Sequence, residues 1–232
     1  MIMSYGLGTS VACAILSTGL LFAPTGGAAA EITWSFPDNI SPGELSAGSL
    51  TGKASMSSVT FGKRARGTGE LVYYLDKPVS LTLGEKGDEP CAFWWKSQGS
   101  YNSYGEASNY SEDWIACGGS RSKKVLSWGR ENALTAIRVC TNNKTNARGQ
   151  LVKGIQVQLS RRETPTGPLE VVDTREIKQP NCKKWSSNWS RCTGNMAASG
   201  ITLYYKRIGG KDSITGFRLL CWNTVPFDPD SG

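Results

Sequence analysis

The chain has 232 residues, a formal net charge of +7 and no histidine. The missing imidazole excludes Ser-His-Asp and Cys-His chemistry and every His-ligated metal site, so carboxylates, Tyr, Lys and Ser remain for any reaction. The basic balance suits anionic partners such as acidic glycans, lipid headgroups or nucleic acid, without selecting among them.

Residues 1–30 read as a secretory signal. Val11–Ala23 holds an apolar run too short to span a membrane, and Ala28–Ala29–Ala30 before Glu31 has the small-residue pattern of a cleavage site. Secretion, to the extracellular space or a periplasm, is therefore expected. Residues 31–53 are rich in Pro, Gly and Ser and read as an extended N-terminal segment with one short strand at Glu31–Phe36. Residues 54–232 then form a single disulfide-stapled β domain.

Met56–Phe61 is the first strand candidate of that domain, and Lys63–Arg64–Ala65–Arg66 reads as a basic turn. Glu70–Leu75 and Val79–Leu83 flank Asp76–Lys77–Pro78 and predict a hairpin with Pro78 in its turn. Cys91–Trp95 is an apolar strand. Lys96–Asp113 is dense in Ser, Tyr, Asn and Gly with no aliphatic side chain larger than Ala, which predicts a long surface loop. Val125–Trp128, Ala133–Cys140, Lys153–Ser160 and Val171–Ile177 supply further strands, with a polar hairpin loop at Thr141–Gly149.

The C-terminal stretch carries the clearest pattern. Gly200–Tyr205 and Gly216–Cys221 each begin with Gly and then alternate apolar and other side chains, the period of a half-buried strand. Gly209–Gly210 lies between them and suits a tight connection. Trp189-x-x-Cys192 precedes this pair and Cys221 closes it. Trp114-x-x-Cys117 and Ala133–Cys140 repeat the same anchors in degraded form, which suggests internal duplication. Without the leader, six cysteines remain: Cys91, Cys117, Cys140, Cys182, Cys192 and Cys221. An even number in a secreted chain predicts three disulfides. Equivalent repeat positions select Cys117–Cys140 and Cys192–Cys221, leaving Cys91–Cys182. No C-x₂-C pair supports a metal cluster, and neither a metal nor a cofactor is expected.

The run Trp189-x-x-Cys192–Thr193–Gly194…Ala198–Ser199–Gly200–Ile201-x-Leu203…Thr215–Gly216–Phe217–Arg218–Leu219-x-Cys221 resembles the repeat of the vitelline membrane outer layer protein family. The Gly-Ile-x-Val/Leu strands resemble jacalin-type lectins more loosely. The resemblance covers Cys182–Trp222 well and Trp114–Leu159 in part. It implies a β-prism, that is, antiparallel sheets with pseudo-threefold character, and an extracellular-coat or glycan-handling role. The third sheet would have to come from residues 54–95.

The expected fold class is all-β, and the expected function is glycan binding or an extracellular-coat role. Tyr and Trp stack on sugar C–H faces while their polar tips form hydrogen bonds. Tyr101, Tyr104, Tyr110 and Trp185 sit in polar surroundings and are the ligand-binding candidates. Trp189 and Trp114, each close to a Cys, are expected to pack on disulfides. A glycoside hydrolase or transglycosylase is the alternative. It needs two converging carboxyls, for which Glu106, Glu112 and Asp113 are the candidates. A third reading is an interaction module or effector whose basic pairs, among them Lys123–Lys124, Arg161–Arg162 and Lys183–Lys184, meet an anionic surface. The residues favour a binder over an enzyme. A glycan or cell-surface polysaccharide is the expected partner, and nucleic acid is not.

Overall fold

A computed structural model describes residues 34–36, 46–62, 64–68, 70–74, 77–101, 107–144, 146 and 150–226. The leader, Tyr104 and Glu106 lie outside the described residues. No α-helix occurs among those described. The chain begins with β1 (Trp34–Ser35), β2 (Ser46–Ala47), β3 (Thr51–Gly52) and β4 (Ser57–Phe61), then β5 (Arg64–Thr68) and β6 (Glu70–Tyr74). Longer strands follow: β7 (Lys77–Lys86), β8 (Glu89–Tyr101), β9 (Ala107–Ile115) and β10 (Ser122–Ser127). Next come β11 (Ala133–Thr141), β12 (Val152–Arg161), β13 (Glu170–Lys178), β14 (Lys184–Trp185) and β15 (Ser190–Arg191). The last strands are β16 (Met196–Ile208), β17 (Lys211–Asn223) and β18 (Val225–Pro226).

Three antiparallel sheets grow from three hairpins. The first sheet has the order β10-β7-β8-β9. The second is β13-β12-β11 with β14 and β15 side by side on the free edge of β11. The third is β17-β16-β4, with β2 and β3 on the free edge of β17. Their inner faces meet in one core: Leu81, Phe93 and Trp95 from the first, Ile137, Ile155 and Val157 from the second, Ile201, Leu203 and Phe217 from the third. Phe93 stands at the junction, its ring 5.3 Å from Phe61 and 5.1 Å from Phe217. Apolar alternation along each strand supplies these residues, because successive side chains of a strand point to opposite faces. The result is the expected all-β, prism-like arrangement with three disulfides and pseudo-threefold character.

Several local expectations are overturned. Arg64–Thr68 is a strand, not a basic turn, and it pairs with Glu70–Tyr74. Consequently Glu70–Tyr74 makes no hairpin with β7. Pro78 lies inside β7, opposite Ser97 and beside a register shift, just beyond the last pairing of β10 at Ser80. Bulges and strand ends are where the missing N–H of Pro is tolerated. The described parts of Lys96–Asp113 are no loop: they belong to β8 and β9, paired from Ala92↔Ile115 to Tyr101↔Ala107. β9 is an edge strand, so its backbone pairs on one side only. The third sheet copy does not come from residues 54–95 alone, since Ser57–Phe61 joins β16 while β7 and β8 recruit β9 and β10. Arg162 is buried and donates to the carbonyls of Gly167 and Thr224, so Arg161–Arg162 is no fully solvated pair.

The disulfides are Cys91–Cys117, Cys140–Cys182 and Cys192–Cys221. The last is as expected; the other two exchange partners. Cys91 and Cys117 lie at the ends of neighbouring strands, where the Ala116 N–H donates to the Cys91 carbonyl at 2.8 Å. Cys140 faces Trp185 across the β11–β14 pairing, which brings Cys182 alongside it.

The glycines that open the strand patterns mark close backbone approaches. A Cβ on Gly200 would stand 2.6 Å from the Phe61 carbonyl oxygen, and one on Gly216 would stand 2.7 Å from that of Thr51 and 2.8 Å from that of Lys53. Gly216→Ala is therefore expected to cost roughly 1–3 kcal/mol through overpacking against backbone that cannot yield. Urea unfolding checks this, with an unchanged midpoint as the contrary result.

One buried acid makes stability depend on pH. Glu85 is 5% exposed and lies within the field of the buried Lys153. Burial, reinforced by Asp88, pushes its carboxyl up to about 7 against the opposing pull of Lys153 and Lys124. The folded state thus holds more protons than the unfolded chain between the normal carboxyl range and 7. Stability from this group is complete below that range and is lost as pH rises through 7. Glu85→Gln should raise the melting temperature at pH 8 and flatten its fall between pH 5 and 8; Lys153 keeps its bond to the Asp88 carbonyl. An unchanged slope would contradict this.

Candidate functional site

The outward residues of β11 and β12 are the non-apolar members of the alternation that buries Ile137, Val139, Ile155 and Val157. Arg138, opposite Gln156, is one of them. Its Nε donates to Gln156 Oε1 at 2.7 Å, and Gln156 Nε2 donates to Glu176 Oε2 at 3.1 Å. Held in this way, the guanidinium lies between two indoles, 4.6 Å from the Trp189 ring centroid and 5.5 Å from that of Trp185. Arg191 also lies over Trp189, at 5.0 Å, and donates to Gln158 Oε1 at 2.8 Å. Such cation–π contacts contribute about 0.5–1 kcal/mol each at exposed sites.

Trp185 is fixed in a second way, through its backbone. It pairs with Cys140, while Lys183 N–H donates to Thr141 O and Ser186 N–H to Val139 O, both at 2.8 Å. The Cys140–Cys182 disulfide ties the start of the same segment to β11. The half-buried indole is therefore held at a defined place on the surface.

Two clefts open beside it. One, of about 510 Å³, is lined by Trp185, Lys53, Thr141, Asn143, Lys144, Gln150, Lys184, Ser186 and Ser187, together with Gly52 and Val139. The other, of about 340 Å³, is lined by Trp185, Lys124, Lys178, Gln179, Pro180, Cys182 and Lys183. Among the described residues, no Asp or Glu lines either cleft. Hydroxyls, amides and ammoniums around one fixed aromatic ring can orient a polyhydroxylated ligand by hydrogen bonds while the ring meets its C–H face.

Of the described ligand-binding candidates, Trp185 alone lines these clefts, joined by Lys124, Lys183 and Lys184 of the basic pairs. Tyr101 and Tyr110 are strand residues of β8 and β9, in register with Ala107 and Ser97. The rings expected on disulfides have other partners: Trp189 sits between two arginines, and Trp114 lies 4.9 Å from the Tyr205 ring. Glu112 and Asp113 do not form a catalytic pair. As neighbours in β9 they point to opposite faces of the sheet. Glu112, opposite Trp95, accepts the Gly62 N–H at 2.5 Å, and Asp113 is exposed opposite Trp94. Sequence reasoning missed Arg138, Lys53 and Lys144. Arg138 was discoverable as the outward position of a buried strand; Lys53 and Lys144 left no local signal.

No protein-family model matches the sequence, and no curated protein sequence matches it significantly. Among solved structures the chain is similar to Calystegia sepium agglutinin, with a TM-score of 0.47 and 11% identity over 77% of this chain and 97% of that one. It is also similar to AcmJRL, a mannose-binding jacalin-related lectin from Ananas comosus, with a TM-score of 0.37 and 14% identity over 79% and 99% of the two chains. A Malaysian banana lectin gives a TM-score of 0.39 and 10% identity over 77% and 99%. Likeness at this level leaves ligand chemistry to be argued from the chain's own residues.

Proposed function

We propose that this protein is a saccharide-binding module of the extracellular space or periplasm, and that it takes its ligand at Trp185. One observation carries the reading: an indole locked by Arg138 and by the Cys140–Cys182 segment forms a wall of two clefts made of hydroxyl, amide and ammonium groups. Aromatic anchors of this kind bind at low entropic cost, since little remains to be ordered. Three disulfides suit an oxidising compartment, in agreement with the leader-like residues 1–30. An extracellular-coat role, as the repeat's resemblance to the vitelline membrane outer layer family implies, fits the same chemistry. The test is a glycan array probed with the disulfide-bonded protein. Retention on a defined subset of glycans is expected; retention on none would overturn the reading.

A further inference from the structure

The charge around Trp185 goes beyond what a neutral sugar requires. Lys53, Lys144 and Lys184 line one cleft, and Lys124, Lys178 and Lys183 line the other. Among the described residues neither lining holds a carboxylate, although Lys144 also borders a neighbouring cleft with Asp88 and Glu89. Lys178 forms an ion pair with Glu176 at 2.7 Å, and Lys124 Nζ donates to the Lys178 carbonyl at 2.7 Å. Lys53, Lys144, Lys183 and Lys184 are exposed and form no ion pair among the described residues. Unpaired like charges gathered on one face repel one another and raise the local potential. A ligand that brings negative charge to both sides of the indole relieves that repulsion.

We propose that the two clefts form one track for a polyanionic saccharide, a chain bearing carboxylate or sulfate groups, with Trp185 as the ridge between them. The proposal rests on the saccharide reading of Trp185 and adds the ligand class. A sugar ring lies against the indole, and acidic groups on neighbouring sugars reach the lysines on each side. Ser186, Ser187, Gln150 and Asn143 supply directional partners for hydroxyls in the larger cleft. Single-stranded nucleic acid is the less suited polyanion, because stacking successive bases takes successive aromatic rings and the described lining of this track holds one. A lipid surface is less suited as well, since it offers no flat C–H face to the indole.

The experiment measures binding of the intact disulfide-bonded protein to polygalacturonate, dextran sulfate, unmodified dextran, a single-stranded oligonucleotide and anionic phospholipid vesicles, each at 50 and 300 mM NaCl. The expected result is at least tenfold tighter binding to one or both charged polysaccharides than to dextran, the oligonucleotide or the vesicles, weakening with salt because exposed charges are screened over about 10 Å at 0.1 M. Whichever charged polysaccharide binds tighter identifies the acidic group. The triple variant K53Q/K144Q/K184Q should lose at least tenfold of that affinity and much of its salt dependence. These side chains are exposed, so the melting temperature should hold. If dextran or another neutral glycan binds as tightly and the triple variant is unaffected, the polyanion proposal falls while the saccharide reading stands. If no saccharide binds, both fall. Equal or tighter binding to oligonucleotide or vesicles also overturns the proposal.

Discussion

Trp185→Ala is expected to weaken saccharide binding by at least tenfold while the protein remains folded. Among the described residues the indole is the one aromatic surface shared by both clefts. Its removal deletes the apolar contact with the sugar and releases Arg138 from one of its two rings. Buried aromatic anchors in interfaces commonly contribute 2 kcal/mol or more on truncation to Ala, and a tenfold change needs only about 1.4 kcal/mol. Stability should fall much less, because Trp185 is half-buried and lies on a two-residue strand outside the main core. Trp94→Ala is the matched control. Trp94 is also a half-buried outward indole with a cation over it, Lys123 at 4.5 Å, but it belongs to the first sheet and lines neither cleft. Its loss should leave affinity unchanged. Titration calorimetry with the best array glycan decides; equal affinity of Trp185→Ala and the parent protein would refute the assignment.

Replacing Cys140 and Cys182 together with Ser should reduce both stability and binding. The bridge spans 42 residues, and constraint of the unfolded chain over such a loop corresponds to about 4 kcal/mol. It also holds the segment that presents Trp185, which begins just after Cys182. Without it, the four-residue stretch Lys183–Ser186 relies on its backbone bonds to Thr141 and Val139 and on the Arg138 contact with Trp185. Part of the binding free energy would then be spent on ordering the loop. Ser replacements at Cys91 and Cys117, which close a 26-residue span in the first sheet, provide the contrast. They should cost a similar amount of stability and leave the affinity of the folded protein intact. Chemical unfolding and calorimetry on both double variants separate the two effects. Equal affinity in both would mean that the bridge near Trp185 has no part in presenting it.

Period-2 alternation in Ile155–Leu159, Ile201–Leu203 and Phe217–Leu219 determined the strands and their inner faces, because a half-buried strand cannot hide its apolar side chains in any other way. The Gly preceding each run marked places where another strand's backbone comes too close for a Cβ. The Cys192–Cys221 bridge followed from the repeat. Tertiary structure alone decided which strands became neighbours, and several features turned on that. Cys91 and Cys117 met because β8 and β9 pair. Cys140 met Cys182 because the chain returns to the free edge of β11. The Ser- and Tyr-rich stretch became strand because an adjacent edge offered hydrogen bonds, which composition does not encode. Most of all, Lys53, the stretch from Arg138 to Lys144 and Trp185 come from separate parts of the chain, and of these residues only Trp185 stood out in the sequence; Arg138, Lys53 and Lys144 each read alone as an ordinary surface residue. Only the closure of the second sheet against the third places them around one indole, since proximity among outward side chains is set by strand register and not by any local preference.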